Sequence, residues 1–398
     1  MNIIFHLDKP IKNQILQIPL FTIQGWIAYK SKYKINNVNL INSEGKVLIP
    51  LLIQERPDVK KQYPKLTATG FYSNVKFSES LLSKNYFIEF SIGKKAKRFE
   101  IELPNLENIR IKFYEKKQNK LENIKSILKC PLCDSNKLDY TKDYIYCKSC
   151  NAQYDSSIKN YNFLHHKLKE RENIVEIDDN ISLEENISSH AYDEKAINFI
   201  EKYKDGLILD NGAGLRNIYY DNVINFEIED YITTDVRGIG EKLPFLSSSF
   251  DAVFSLSVIE HVTNPIEYVK EIERVLKPNG EIYIVAPFLQ PFHAYPNHYY
   301  NMTSEGLKHL FSKNIKISEI NVPKSGLPIW LLSWFLNAYI DGLPNKEAEY
   351  FKTLKVSDLI DSPLSYLDKD FVTKLSSFAT KQLACSNQLV GTKINDTH

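Results

Sequence analysis

The sequence has no excess of charge of either sign, no long apolar run and few cysteines, and each shortage removes a class of protein. Fifty Lys and Arg stand against 49 Asp and Glu, a formal charge of +1 over 398 residues. That balance argues against a chain-wide electrostatic footprint for nucleic acid or an anionic membrane, though not against a local patch. The most apolar stretch, Leu327 to Ile340, is broken by Ser333 and Asn337. It falls short of the roughly 20 residues that span a bilayer. The N-terminus MNIIFHLDKP has no basic leader and meets Asp8 before any apolar run, which argues against a secretory signal and for a cytoplasmic location. Of five cysteines, four lie in two close pairs, which suits metal ligation in a reducing compartment better than a disulfide framework. The remaining composition is that of an ordinary globular chain, long enough for two or three domains.

What is present changes character along the chain. Residues 1–106 hold short runs rich in Ile, Val, Phe and Tyr, separated by turn signals such as Asn42-Ser43-Glu44-Gly45. Strands at this spacing predict a small β-sandwich. The stretch Glu107 to Lys129 is lysine-rich and reads as a linker or solvated helix. A cysteine-bearing module occupies residues 126–167, and a polar, acidic stretch, Glu170 to Asn186, reads as a second linker. From residue 187 to 398 strands alternate with helices, the pattern of a Rossmann-like α/β domain with a parallel sheet. Within it, Pro265 to Leu276 is a helix with Asn264 as N-cap and Glu267 closing a capping box. Lys277-Pro278-Asn279-Gly280 ends it before a strand over Glu281 to Ala286.

Two constellations carry chemistry. Cys130-Pro-Leu-Cys133 and Cys147-Lys-Ser-Cys150 are CxxC knuckles with 13 residues between them, the spacing of a four-cysteine zinc ribbon. Four thiolates close the coordination shell, so the Zn²⁺ is expected to be structural. Its removal is expected to unfold the ribbon alone. Cys385, by itself in an apolar segment, reads as a core residue. The second constellation is Leu207-Ile-Leu-Asp210-Asn-Gly212-Ala-Gly214, a strand running into a glycine turn that lets backbone approach a ligand closely.

Downstream of that turn follow Glu241-Lys-Leu243-Pro244-Phe245, Ser249-Phe250-Asp251, Ile259-Glu260-His261-Val and Glu271-Ile-Glu-Arg274-Val-Leu-Lys277-Pro278-Asn-Gly280. In their order and spacing, residues 206–290 resemble the class I S-adenosylmethionine-dependent methyltransferases of the methyltransferase type 11 group. The resemblance implies that Asp210, Gly212 and Gly214 line the methionine part of the cofactor. It gives Glu227, with Asp235 as fallback, the ribose hydroxyls, and it places Glu241 and Leu243 in the adenine wall. Only 12 residues separate Gly214 from Glu227, so the usual first helix is expected to be short or lost. Ile239 stands where many relatives carry an Asp.

A hydroxyl acceptor also needs a base near neutral pH, and His261, His293 and His298 are the candidates. The last two lie in a Pro- and aromatic-rich loop, Pro287 to Tyr300. Leu327 to Ile340, with Trp330 and Trp334, reads as core or as a wall of the acceptor pocket. The ribbon resembles those of the methyltransferase-activator family. Gly25-Trp26, Arg56-Pro57-Asp58-Val59 and Gly70-Phe71 resemble an accessory domain of polysaccharide-modifying enzymes, although simple turn and core roles also fit them. The expected acceptor is therefore a hydroxyl of a glycan, glycolipid or nucleotide-sugar intermediate, with nucleic acid disfavoured on charge but not excluded. An RNA methyltransferase is the alternative, and a non-catalytic scaffold is a third reading.

Overall fold

A computed structural model describes residues 3–10, 17–30, 34–76, 81, 85–93, 95–157, 159–171, 191–293, 297–360 and 362–384. Cys385 and most of the polar stretch Glu170 to Asn186 lie outside the described residues. The N-terminal region consists of strands β1 (Ile3–Lys9), β2 (Leu20–Tyr29), β3 (Ile35–Asn42), β4 (Val47–Gln54), β5 (Thr67–Lys76), β6 (Tyr86–Ile92) and β7 (Lys95–Ile101). They form one antiparallel sheet in the order β1-β2-β5-β4-β3-β6-β7 where two separate sheets are expected. The cause is β4, which pairs with β3 over Val47–Leu51 and with β5 over Leu52–Gln54. A strand that changes partner turns a sheet back on itself. The fold-over brings the outer strands together, with the rings of Phe5 (β1) and Phe99 (β7) stacked at 4.6 Å. Inside lie Ile23, Ile27, Leu40, Phe71, Ile88 and Phe90. The short motifs of this region are occupied locally. Arg56 bridges Asp8 at 2.6 Å and Asp58 at 2.8 Å. Trp26 is buried between His6 and Tyr63.

The second sheet joins the cysteine module to the α/β region. Its strands are β8 (Leu138–Tyr140), β9 (Tyr144–Cys147), β10 (Gln153–Ser156), β11 (Tyr161–Asn162), β12 (Ile208–Asn211), β13 (Val223–Glu227), β14 (Val236–Arg237), β15 (Phe250–Leu256) and β16 (Leu276–Val285). Their order is β16-β15-β12-β13-β14-β11-β10-β9-β8. The parallel pairing of β11 with β14 makes the ribbon the continuation of the parallel sheet. The seam is reinforced by Lys129 N–H donating to Pro244 O at 2.9 Å and Leu246 N–H donating to Ile127 O at 2.7 Å. Cys130, Cys147, Tyr154 and Phe163 belong to one apolar cluster with Leu209, Phe245, Val253 and Ile272. This shared core argues against a ribbon that unfolds alone and for joint unfolding instead.

The lysine-rich linker is corrected as well. It forms a helix, Leu106–Ile124, capped by Asn105, whose side chain accepts from Asn108 N–H. Lys117 and Lys120 are buried rather than solvated. Lys120 Nζ meets Asp235 at 3.0 Å and donates to Val223 O, and Lys117 Nζ donates to Ile232 O. Burial lowers the ammonium of Lys117 to about 8, with Asp235 opposing the shift. The lysines lie along the face that Leu121 and Ile124 also use to reach the sheet.

No helix connects β12 to β13 among the described residues, as the 12-residue gap implies. The chain leaves β12 for β13 on one side while β15 lies on the other, which makes the ends of β12 and β15 the topological switch point. The helix Pro265–Val275 forms as read, with Asn264 Oδ1 accepting from Glu267 N–H. The Glu267 carboxylate turns to Lys270 instead of closing a capping box. The Lys277–Gly280 stop is absorbed into β16, where Asn279 takes φ +62° at a register shift. The apolar stretch forms the helix Pro328–Asp341 and corrects the core reading, since Ile329 and Trp330 are 63% and 62% exposed. No described helix is long and apolar enough to cross a membrane.

Candidate functional site

At the carboxyl end of β12 the chain makes the glycine turn. Gly212 and Gly214 take φ +86° and +60°, conformations that favour glycine. A Cβ on Gly212 would also lie 2.5 Å from the Val258 side chain. Gly212→Ala is therefore expected to destabilise the protein by about 1–3 kcal/mol through backbone strain alone, which a urea titration would measure.

The acidic residues near this turn divide into those with a free face and those without. Glu227 ends β13, half-buried, and accepts from Gly214 N–H at 2.7 Å and Ile228 N–H at 2.8 Å. Burial raises its carboxyl, opposed by those backbone donors. Asp210 is fully enclosed: Arg216 grips its carboxylate at 2.9 and 3.2 Å, and Tyr192 Oη donates to it at 2.5 Å. Asp210 thus fixes the turn from beneath and offers no oxygen to a ligand. Asp235, the fallback, is taken by Lys120, Tyr219 and Asn225 N–H in the core.

Glu241 receives Thr263 N–H at 3.0 Å and Thr263 Oγ1 at 3.2 Å, anchoring the entry to the helix Pro265–Val275. Leu243 is fully buried, and its N–H donates to Glu271. Neither side chain stands as a ligand wall. Sequence reasoning missed Asn211, whose Nδ2 is buried without a hydrogen-bond partner beside the turn. It also missed Arg216 and Tyr192, which only the fold brings to Asp210.

The histidines come together just beyond β15. Ring centroids of His261 and His293 stand 5.3 Å apart, those of His293 and His298 4.3 Å, and those of His261 and His298 5.8 Å. His261 Nδ1 meets Asn297 O at 2.6 Å, and His293 Nδ1 meets Pro291 O at 2.9 Å. Burial is the main influence on both rings and lowers their basicity. Both nitrogens of His298 are engaged, Nδ1 with His293 N–H and Nε2 with Asn301 Oδ1 at 2.9 Å. Glu260, quoted in the sequence motif but not assigned a role, is fully buried beside them, and burial lifts its carboxyl to about 7. The Trp334 ring reaches within 5.3 Å of His293. A cavity of about 560 Å³ opens next to this group, lined by Thr263, Asn264, Tyr300, Met302 and Thr303 among others.

The cysteines converge as their spacing implies. Cys130 Sγ stands 3.6 Å from Cys150 Sγ, and Cys133 Sγ 3.5 Å from Cys147 Sγ. Four sulfurs bound tetrahedrally at about 2.3 Å would stand about 3.8 Å apart, so the donors fit Zn²⁺. The two knuckles repeat one backbone pattern. Cys130 N–H donates to Ser135 O and Asp134 N–H to Cys130 O, and Cys147 N–H donates to Ala152 O and Asn151 N–H to Cys147 O. Asp134 and Asn151 both take φ +61°.

Comparison with known proteins agrees with this geometry. Residues 221–284 match the family model described as a methyltransferase domain. Over 96 residues the chain is 33% identical to a tRNA U34 carboxymethyltransferase of Campylobacter curvus, covering 21% of this chain and 32% of that protein. Over 70 residues it is 34% identical to the protein of the same name from Nautilia profundicola, covering 18% and 23%. The chain thus spans a third or less of the curated relatives it matches. Both names specify tRNA, and this overturns the expectation of a glycan or small-molecule acceptor with nucleic acid disfavoured. A net charge of +1 describes the whole chain and is silent on one face of it. The expectation of a methyltransferase is borne out: the chain carries a methyltransferase domain, and the matched residues run from just before β13 almost to the end of β16.

Proposed function

We propose that this protein is an S-adenosylmethionine-dependent methyltransferase that modifies RNA, with tRNA as the acceptor class. The observation that carries the reading is the match of residues 221–284 to a methyltransferase domain, together with relatives named for a tRNA reaction. The residues of the turn fit the cofactor. Asn211 offers an unpartnered amide donor, the glycines let the chain turn sharply at the end of β12, and Glu227 presents a carboxylate at the end of β13, where two oxygens suit a vicinal diol. When bound, the cofactor supplies a methyl group on a sulfonium centre. The protein's part is to hold the acceptor in line with it and to exclude water.

The acceptor side carries an aromatic feature suited to RNA. Phe288, Phe292, Tyr299 and Tyr300 are 53%, 47%, 43% and 38% exposed around the histidine group. Exposed rings next to a reacting centre suit unstacked bases, each worth about 1–3 kcal/mol when stacked. The test is transfer of label from methyl-labelled S-adenosylmethionine to bulk tRNA, with the added group weighed by mass spectrometry. Label should enter tRNA, and Phe288→Ala should weaken tRNA binding by about tenfold while cofactor binding stays unchanged. A preparation that binds S-adenosylmethionine and leaves tRNA unlabelled would refute the acceptor.

A further inference from the structure

We propose that Glu260, His261 and His293 form a binding site for a divalent first-row metal ion, separate from the four-cysteine site. Glu260 is 0% exposed, and neither oxygen of its carboxylate has a hydrogen-bond partner among the described residues. A buried carboxylate left in this way is destabilising unless a cation or proton meets it. Two imidazoles stand next to it, and one donor atom from each of the three residues lies within 4.8 Å of the others. His261 Nε2 is 3.9 Å from Glu260 Oε1.

The backbone sets the tautomers for this task. With Nδ1–H of His261 donated to Asn297 O and Nδ1–H of His293 donated to Pro291 O, each ring keeps its Nε2 lone pair free for a ligand. A carbonyl holding the remote ring nitrogen is the usual support of a metal-bound imidazole. His298 is excluded because both of its nitrogens are engaged, so it positions the loop. Tyr299 N–H, donating to Glu260 O at 2.7 Å, ties that loop to the carboxylate's own backbone.

Ligands of one ion at about 2.0–2.2 Å stand roughly 3–3.5 Å apart, so small rotations close the set. Two imidazoles and one carboxylate suit ions from manganese to zinc and leave coordination positions open. The site lies close to the glycine turn, because Val258, two residues before Glu260, packs against Gly212. An oxygen of the acceptor is the natural occupant of an open position. His261 and His293 then act as ligands rather than as bases. The site's existence does not depend on which acceptor is used.

The experiment is a metal count on the full chain. The protein is first loaded with Zn²⁺, dialysed against micromolar Mn²⁺, Co²⁺ or Zn²⁺ in turn, desalted and analysed by plasma mass spectrometry. Wild type is expected to hold two ions per chain with at least one of the three metals. Glu260→Gln and His293→Ala are expected to hold one, with unchanged thermal melting showing that they fold. His261→Ala gives a third check should either fail to fold. Wild type holding one ion with every metal, or folded variants holding two, would overturn the site.

Discussion

Removing the metal from the cysteine cluster, by chelation or by Cys147→Ser, is expected to unfold the ribbon and the methyltransferase domain together. Structural zinc contributes about 10–16 kcal/mol in isolated zinc-finger peptides, comparable with or larger than the roughly 5–15 kcal/mol that stabilises a whole domain. An ion held by the four cysteines would not confine that energy to the ribbon. The ribbon's β11 is hydrogen-bonded to β14, and Cys130 and Cys147 pack in the same cluster as Val253 of β15. Loss of the ion should therefore abolish cofactor binding as well as the fold of residues 126–167. Near-ultraviolet circular dichroism should show the tertiary signal of both regions lost together on chelation, where the metal-loaded protein melts in one transition. A methyltransferase transition that keeps its midpoint after chelation would show the seam to be energetically idle.

Arg216→Ala is expected to destabilise the protein by about 3–5 kcal/mol, the usual consequence of removing one partner from a buried ion pair. Asp210 and the Arg216 side chain are 0% and 4% exposed, so water cannot replace the guanidinium. The Arg216 guanidinium also lies over the Tyr192 ring at 4.3 Å, and that contact goes with it. A shift in the urea midpoint with an unchanged slope would measure the loss. Asp210→Asn should also be destabilising, because the amide can keep a hydrogen bond but leaves the buried Arg216 guanidinium without its counter-charge. Equal stability of wild type and Arg216→Ala would remove Asp210 from its place as the anchor of the turn.

Local features of this fold were legible in the sequence. The CxxC pairs specify their own turns, the Asn264-Pro265 start specifies a helix, and the 12-residue gap after Gly214 leaves no room for one. Partnerships across long separations were not. Lys120 and Asp235 lie 115 positions apart, and lysine spacing alone cannot distinguish a solvated face from one buried on a sheet. The junction of β11 with β14 depends on a two-residue strand, too short for any periodic signal. Asp210, Glu241 and Leu243 occupy the family's motif positions, yet their contacts turn inward. A motif marks which residues surround a site and not which of their atoms face it. Glu260 illustrates the converse. It lies within the Ile259-Glu260-His261-Val motif, and only its burial without a partner among the described residues distinguishes it.

The turn after β12 is expected to bind S-adenosylmethionine. Isothermal titration of the full chain with S-adenosylmethionine, repeated on Glu227→Ala, tests it most directly. Saturable binding to wild type is expected, weakened at least tenfold in the variant while its melting temperature stays within a few degrees. Absence of binding to folded wild type, or equal binding by both proteins, would contradict it.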